Sequence, residues 1–115
     1  MKQIRSIFPT HTSERRKRLQ QVCHSIARND GSMVKCRLSS ECIDDAMIQM
    51  LCNALPGNTK LLALHLHNNR ITDSGVLTLS RSLKRHPCFN TLWIGGNRIT
   101  DQGTYSCDLT MLNVI

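Results

Sequence analysis

The sequence predicts an α/β fold, a short solenoid with a parallel β-sheet on one side and helices on the other. Two observations carry this prediction. Residues 61–75 recur at residues 89–103, displaced by 28 positions, and a fixed period of about 20 to 50 residues is typical of repeat architectures. Within each copy, apolar residues first alternate with other residues and then recur at helical spacing. Each unit therefore contains a strand followed by a helix.

The strand of each unit is indicated by alternating apolar residues, the pattern of a strand that buries one face. An asparagine follows each strand, Asn69 in one unit and Asn97 in the next. Its amide can satisfy backbone groups in the turn, and stacked units would align these amides in a ladder. The matching apolar positions are Leu61, Leu64 and Leu66 in one unit and Phe89, Leu92 and Ile94 in the next.

The helix of each unit is indicated by Val76, Leu79 and Leu83, which recur at the spacing of an amphipathic helix. Asp73 and Asp101 stand at the same position of successive units, just before the helical pattern. We expect each aspartate to cap the helix that follows it. They are not expected to form an acid–base pair.

A third, degenerate copy precedes these two, with Cys36 at a leucine position and Glu41 at the asparagine position. Before it, Leu19 and Ile26 mark the buried face of a helix that begins near Ser13 and covers one end of the array. We expect a flexible lead-in at 1–12, a basic N-terminal helix and cap at 13–32, and repeats at 33–60, 61–88 and, incomplete, 89–115.

These units resemble leucine-rich repeats of the kind found in ribonuclease inhibitor, the Ran GTPase-activating protein and NOD-like receptors, whose repeats have the same period. The resemblance covers about residues 33 to 107. It implies a curved sheet on the concave side of a horseshoe, where such proteins hold a protein partner. The segments that carry it read LLALHLHNNRITDSGVLTLSRSL and FNTLWIGGNRITDQG.

Strand alternation predicts which side chains point outward from the sheet. Arg37, His65 and Trp93 are spaced by one full repeat period each and form one row. Large amphipathic groups of this kind dominate binding energy at interfaces. Alternatively, Trp93 packs over a neighbouring loop or covers the end of the core. The histidines could make binding pH-sensitive, whereas two ligands alone make a poor metal site. The predicted partner-binding residues are Lys35, Arg37, His65, His67, Thr91 and Trp93.

The net charge of +7 is concentrated in residues 1–30, which contain seven basic and two acidic residues. Four of the cations are consecutive, Arg15, Arg16, Lys17 and Arg18. We call them the basic run. They indicate either a solvated face of the cap or a site for nucleic acid or another polyanion. No aromatic residue is interleaved with them for base stacking.

No catalytic motif is present, so we expect a scaffold or adaptor protein without enzymatic activity. The six cysteines lack paired metal-ligand spacing, and we expect buried thiols, no cofactor and no metal. No signal peptide or membrane-spanning segment is predicted, which favours a cytoplasmic or nuclear location. Regulation of a small GTPase is a further alternative that the resemblance implies.

The end of the sequence is strongly apolar and no polar capping repeat follows it. We therefore expect either self-association through this end or a chain that is part of a longer array. The residues concerned are Leu109, Met111, Leu112, Val114 and Ile115.

Overall fold

The fold alternates helices and strands along the chain. The computed structural model describes residues 2–106 and 113–115. Its helices are α1 (Lys2–Ala27), α2 (Asp45–Ala54), α3 (Asp73–Lys84) and α4 (Asp101–Ser106), and its strands are β1 (Lys35–Arg37), β2 (Ala63–His65), β3 (Thr91–Trp93) and β4 (Asn113–Val114). None of the helices in these ranges is long and apolar enough to cross a membrane.

The strands form a parallel sheet in the order β1-β2-β3-β4. Arg37 pairs with His65 and His65 with Trp93, so the repeat period is also the sheet register. Strand β4 departs from the period, since the pairing of Asn113 with Thr91 spans less than one repeat. The repeat pattern predicted about three strands, and it missed this fourth strand because the connection before it is shorter than a repeat.

The core lies between the sheet and the helices. Leu64 and Leu66 of the second repeat are fully buried, as are Ile71 and Leu79, and burial of each such side chain is worth about 1.5 to 3 kcal/mol. Among their equivalents in the next repeat, Leu92 is also fully buried, whereas Ile94 and Ile99 are only partly buried. The central repeat therefore contains the best-packed part of the molecule.

Helix α1 covers the first repeat. Its side chains Leu19 and Ile26 are buried in the shared core, and Val22 and Cys23 pack against it while partly exposed. The helix begins at Lys2, not near Ser13, so residues 2–12 are helical where a flexible lead-in was expected. The apolar pattern predicts only where the helix packs, whereas hydrogen bonds along the backbone define where it begins.

The predicted asparagine ladder, Asn69 and Asn97, is confirmed. The Asn69 side-chain oxygen accepts from the backbone N–H groups of Glu41 and Ile43, at 2.9 and 3.0 Å. Its amide nitrogen donates to the backbone oxygens of Leu38 and Leu66, both at 2.9 Å. Asn97 likewise accepts from the N–H of Ile71 and donates to the backbone oxygens of Leu66 and Ile94.

The expected capping role of Asp73 is wrong. Asp44, not Asp45, caps α2, and Asp45 reaches into the next repeat, where it accepts from the backbone N–H and hydroxyl of Thr72. Thr72 is the N-cap residue of α3. Asp73 repeats the contact, accepting from the N–H and hydroxyl of Thr100 at 2.7 and 2.5 Å. These bonds join successive repeats and hold the pKa of the Asp73 carboxyl below its usual value.

A second polar ladder, not predicted from the sequence, follows the helices. Asn58 accepts from the backbone N–H groups of Lys60 and Leu61, at 3.1 and 3.0 Å. His86 Nδ1 does the same for the N–H groups that follow it in its own turn. His86 Nε2 and Asn58 Oδ1 are 2.8 Å apart. Asp30, one repeat before Asn58, accepts from the backbone of the equivalent turn. We call Asp30, Asn58 and His86 the turn ladder.

The C-terminal residues that the structure describes complete the sheet edge beside β3. The Ile94 N–H donates to the Ile115 oxygen at 2.9 Å, and the Ile115 N–H donates to the Leu92 oxygen at 2.8 Å. Val114 and Ile115 are exposed. Three residues of the predicted self-association surface, Leu109, Met111 and Leu112, lie outside the described residues.

Candidate partner-binding face

The outward side of the sheet displays the predicted row of side chains. We call this surface the sheet face and define it by Lys35, Arg37, His65, His67, Thr91 and Trp93. Lys35 and Arg37 are exposed on either side of buried Cys36, as strand alternation requires. His65, His67, Thr91 and Trp93 are partly exposed.

Two rings of the sheet face stack on each other. The centroids of His65 and Trp93 are 4.1 Å apart, with 24° between the ring planes. Direct pairing of β2 with β3 brings these residues side by side. The Trp93 ring therefore lies within the row, where strand alternation predicted it. A ring held in this way loses little conformational entropy when a partner binds.

The charged side chains on the sheet face are all basic. Its outward strand positions include two cations and no acidic residue. Partial burial lowers the pKa of His65, and the positive charges of Arg37, His67 and Lys35 lower it further. His65 Nε2 is shielded from solvent and has no hydrogen-bond partner among the described residues. His67 differs, because its Nδ1 lies 3.0 Å from the Ser39 hydroxyl.

The two histidines do not form part of a larger ligand set. Their ring centroids are 6.3 Å apart, and no group of three or more potential metal-ligating side chains occurs in the part of the chain that the structure describes. The residues on this surface can make hydrogen bonds, stack and attract anions. This is the chemistry of recognition.

The basic run is divided by contacts with the first repeat. Arg18 forms an ion pair with Glu41 at 2.6 Å, and Arg15 donates to the Cys42 sulfur at 2.7 Å. Arg16 and Lys17 are exposed. Sequence reasoning treated the four cations as one patch, whereas two of them attach α1 to the turn after β1. Glu41 holds the asparagine position of this degenerate repeat. Its side chain pairs with Arg18, while its backbone N–H donates to Asn69 of the ladder.

The cysteines within the described residues are free thiols. Cys36 is the most deeply placed, at 1% exposure, and burial raises its pKa to about 12. Cys107 lies outside the described residues. The free thiols are Cys23, Cys36, Cys42, Cys52 and Cys88.

Comparisons with known proteins agree with this architecture. A family model described as a leucine-rich repeat matches residues 57–80. A solved structure described as leiomodin-1 actin-binding site 2 shares the fold with a TM-score of 0.69 and 23% sequence identity, over 75% of this chain and 50% of that chain. The present chain thus spans about half of that structure. No curated protein matches it in sequence. Residues 57–80 thus match a leucine-rich repeat, and the chain shares its α/β repeat fold with the leiomodin structure.

Proposed function

We propose that this protein is an interaction module that binds a protein partner through the sheet face. The observation that carries the proposal is the stacked pair of His65 and Trp93 beside exposed Arg37. Tryptophan and arginine are the residues most enriched among those that dominate binding energy. The leiomodin structure, which has the same fold, is an actin-binding site, and this supports such a use of the architecture.

The chemistry of the sheet face suggests the chemistry of its partner. Lys35 and Arg37 favour acidic groups at the β1 end, while Trp93 favours a flat apolar or aromatic group at the β3 end. A partner segment running across the strands would meet both in turn. We also propose that the repeats are of the kind found in ribonuclease inhibitor, the Ran GTPase-activating protein and NOD-like receptors. The constant spacing at which β1, β2 and β3 begin along the chain supports this proposal.

The test is a quantitative affinity capture from cell extract with the intact chain and a variant carrying Arg37→Glu, His65→Ala and Trp93→Ala. A matched variant carries Arg28→Glu, His24→Ala and Gln20→Ala, which alter positions on α1 and just after it, away from the sheet face. We expect specific partners to be lost with the sheet-face variant and kept with the matched one. Circular dichroism and thermal melting establish that all three chains fold equally. Equal capture by both variants would refute a role for the sheet face.

Polyanion binding through the basic run is the second candidate, and exposed Arg16 and Lys17 favour it. Each phosphate neutralised changes the slope of log affinity against log salt by about −0.9 for duplex DNA. Since two of the four cations already contact the protein, we expect a slope of about −2. An Arg16→Ala, Lys17→Ala variant should abolish this dependence of the affinity on salt. A slope that the variant does not change would exclude the basic run as the site.

A further inference from the structure

A cavity of about 560 Å³ lies where α2 and α3 end and the chain turns back towards the sheet. Its apolar wall includes Leu55, Pro56 and Pro87, and its polar wall includes Arg81 and Arg85. No residue of the sheet face lines it. Its volume falls within the range of pockets that hold small ligands or single anchoring side chains.

Hydrogen bonds of the turn ladder cross-link the cavity wall. Asn58 is 3% exposed, and its amide nitrogen donates to the backbone oxygen of Ile26 at 2.9 Å. Its side-chain oxygen lies 2.8 Å from His86 Nε2. The Cys88 sulfur donates to the Thr59 oxygen at 2.9 Å, tying the two turns together. A ligand would therefore meet a preformed wall, which lowers the ordering cost of binding.

The charge on the cavity is unbalanced. Arg81 and Arg85 lie one turn apart on the last part of α3 and the residue after it, both exposed. Within the described ranges neither guanidinium has an ion-pair partner, and no lining residue is acidic. Side chains four apart on a helix have Cβ atoms about 5 to 6 Å apart. Each can bind a separate carboxylate with paired hydrogen bonds.

We propose that this cavity binds an acidic peptide segment of a partner protein. Two carboxylates of the segment would bind Arg81 and Arg85, and an apolar side chain between them would enter the space beside Leu55, Pro56 and Pro87. The apolar wall distinguishes this ligand from a simple anion, because an inorganic ion would leave that surface unoccupied. The site is separate from the sheet face and can be occupied independently.

The probe is a short, fluorescently labelled peptide that alternates glutamate and leucine, titrated against the full chain. Its controls have glutamine at each glutamate, or alanine at each leucine. Fluorescence anisotropy is measured for the unaltered chain, for Arg81→Glu with Arg85→Glu, and for Arg70→Glu with Arg98→Glu. The last variant changes the net charge equally at exposed positions that do not line the cavity. An Arg81→Lys, Arg85→Lys variant keeps the charge without the paired donor geometry.

We expect the acidic peptide to bind the unaltered chain and the affinity to fall about tenfold or more in the Arg81→Glu, Arg85→Glu variant. The Arg70→Glu, Arg98→Glu variant should retain the affinity, the lysine variant should have an intermediate one, and both control peptides should bind more weakly.

Three results would overturn the proposal. Equal losses in the two glutamate variants would show attraction to net charge rather than a site. Equal binding of the alanine control would show that the apolar wall takes no part. Displacement of the peptide by inorganic phosphate at equal concentration would indicate an anion patch with no preference for peptides.

Discussion

Asn69 is the most connected polar side chain of the asparagine ladder. It accepts from two backbone N–H groups of the preceding repeat and donates to backbone oxygens of both repeats. These backbone groups lie in turns, where no neighbouring strand can bind them. The Asn69 side chain supplies the hydrogen bonds that a strand would otherwise make. The same residue type at Asn97 is partly exposed, where water can substitute for a lost partner.

We predict that Asn69→Ala lowers the free energy of unfolding by about 2 to 3 kcal/mol, because buried backbone groups lose their partners. Asn97→Ala should cost about 1 kcal/mol, since its turn is more open to solvent. Urea denaturation followed by circular dichroism measures both. A larger loss for Asn97→Ala would contradict the burial argument.

His86 makes the stability of the protein depend on pH. Its Nδ1 accepts from two backbone N–H groups and so must be unprotonated in the folded state. Burial also lowers the pKa of His86 from 6.5. Because the unfolded chain then binds more protons, this stabilisation is full above pH 6.5 and is lost as the pH falls through the folded-state value.

We predict that the free energy of unfolding decreases as the pH falls below 6.5, and that His86→Asn reduces this decrease. Asparagine is the residue that serves the equivalent turn at position 58, so the variant should stay folded near neutral pH. His65→Asn is measured beside it to separate the contribution of His65, whose pKa is also lowered. An unchanged pH profile in His86→Asn would exclude the turn ladder as the cause of the pH-dependent stability.

At the scale of the elements, the repeats are joined by a contact that needs glycine. The Asp45 carboxylate accepts from Thr72 and occupies the space that a Cβ atom on Gly75 would fill. The Asp73 carboxylate stands against Gly103 in the same manner. In the first repeat, Met47 stands at the position that corresponds to Gly75. Lys17 stands one period before Asp45. The aspartate and the glycine are therefore absent together.

We predict that Gly75→Ala destabilises the protein by about 1 to 3 kcal/mol, although alanine alone favours a helix by about 1 kcal/mol over glycine. Combining it with Asp45→Ala should recover part of the loss, because the new methyl group and the carboxylate compete for one space. A double-mutant cycle in urea measures this coupling. Gly31→Ala is the control, since nothing lies within 4 Å of its Cβ position. Additive effects would exclude the steric explanation.

Over the whole molecule, stability is shared through one core that α1 closes at its N-terminal end. Cys36 lies in that core at 1% exposure, and its raised pKa of about 12 keeps the thiol protonated. A thiol reagent can therefore reach it only when the first repeat opens. Cys88 is partly exposed near the surface cavity and needs no such opening.

We predict that in the native protein Cys88 reacts with a thiol reagent much faster than Cys36. Ile26→Ala, which removes a fully buried side chain of α1 at a cost of about 2 to 5 kcal/mol, should accelerate labelling of Cys36 and leave Cys88 unchanged. Mass spectrometry of time points resolves the two sites. Equal rates for both thiols would argue against α1 as a closure of the core.

Positions that repeat with one period and one pattern could be predicted, because each copy samples the same local environment. The strand alternation at Leu64 and Leu66 determined the inward side, and the spacing of Arg37, His65 and Trp93 determined the row. Both follow from geometry along the chain alone. The turn ladder also had a signal in the sequence, since its three members are spaced by one repeat period each. Their different side chains concealed a common acceptor role.

By itself, then, the sequence determined the repeat, its strand and helix, its asparagine ladder and the outward row of the sheet. Only the tertiary structure decided that Asp45 binds the next repeat rather than its own helix, that Arg15 and Arg18 attach α1 to the first repeat, and that β4 joins the sheet. It also formed the cavity beside Arg81 and Arg85. The physical reason is that periodicity specifies the local conformation and the side of each element that faces the core. Contacts between repeats depend instead on which groups are brought within hydrogen-bond distance by packing.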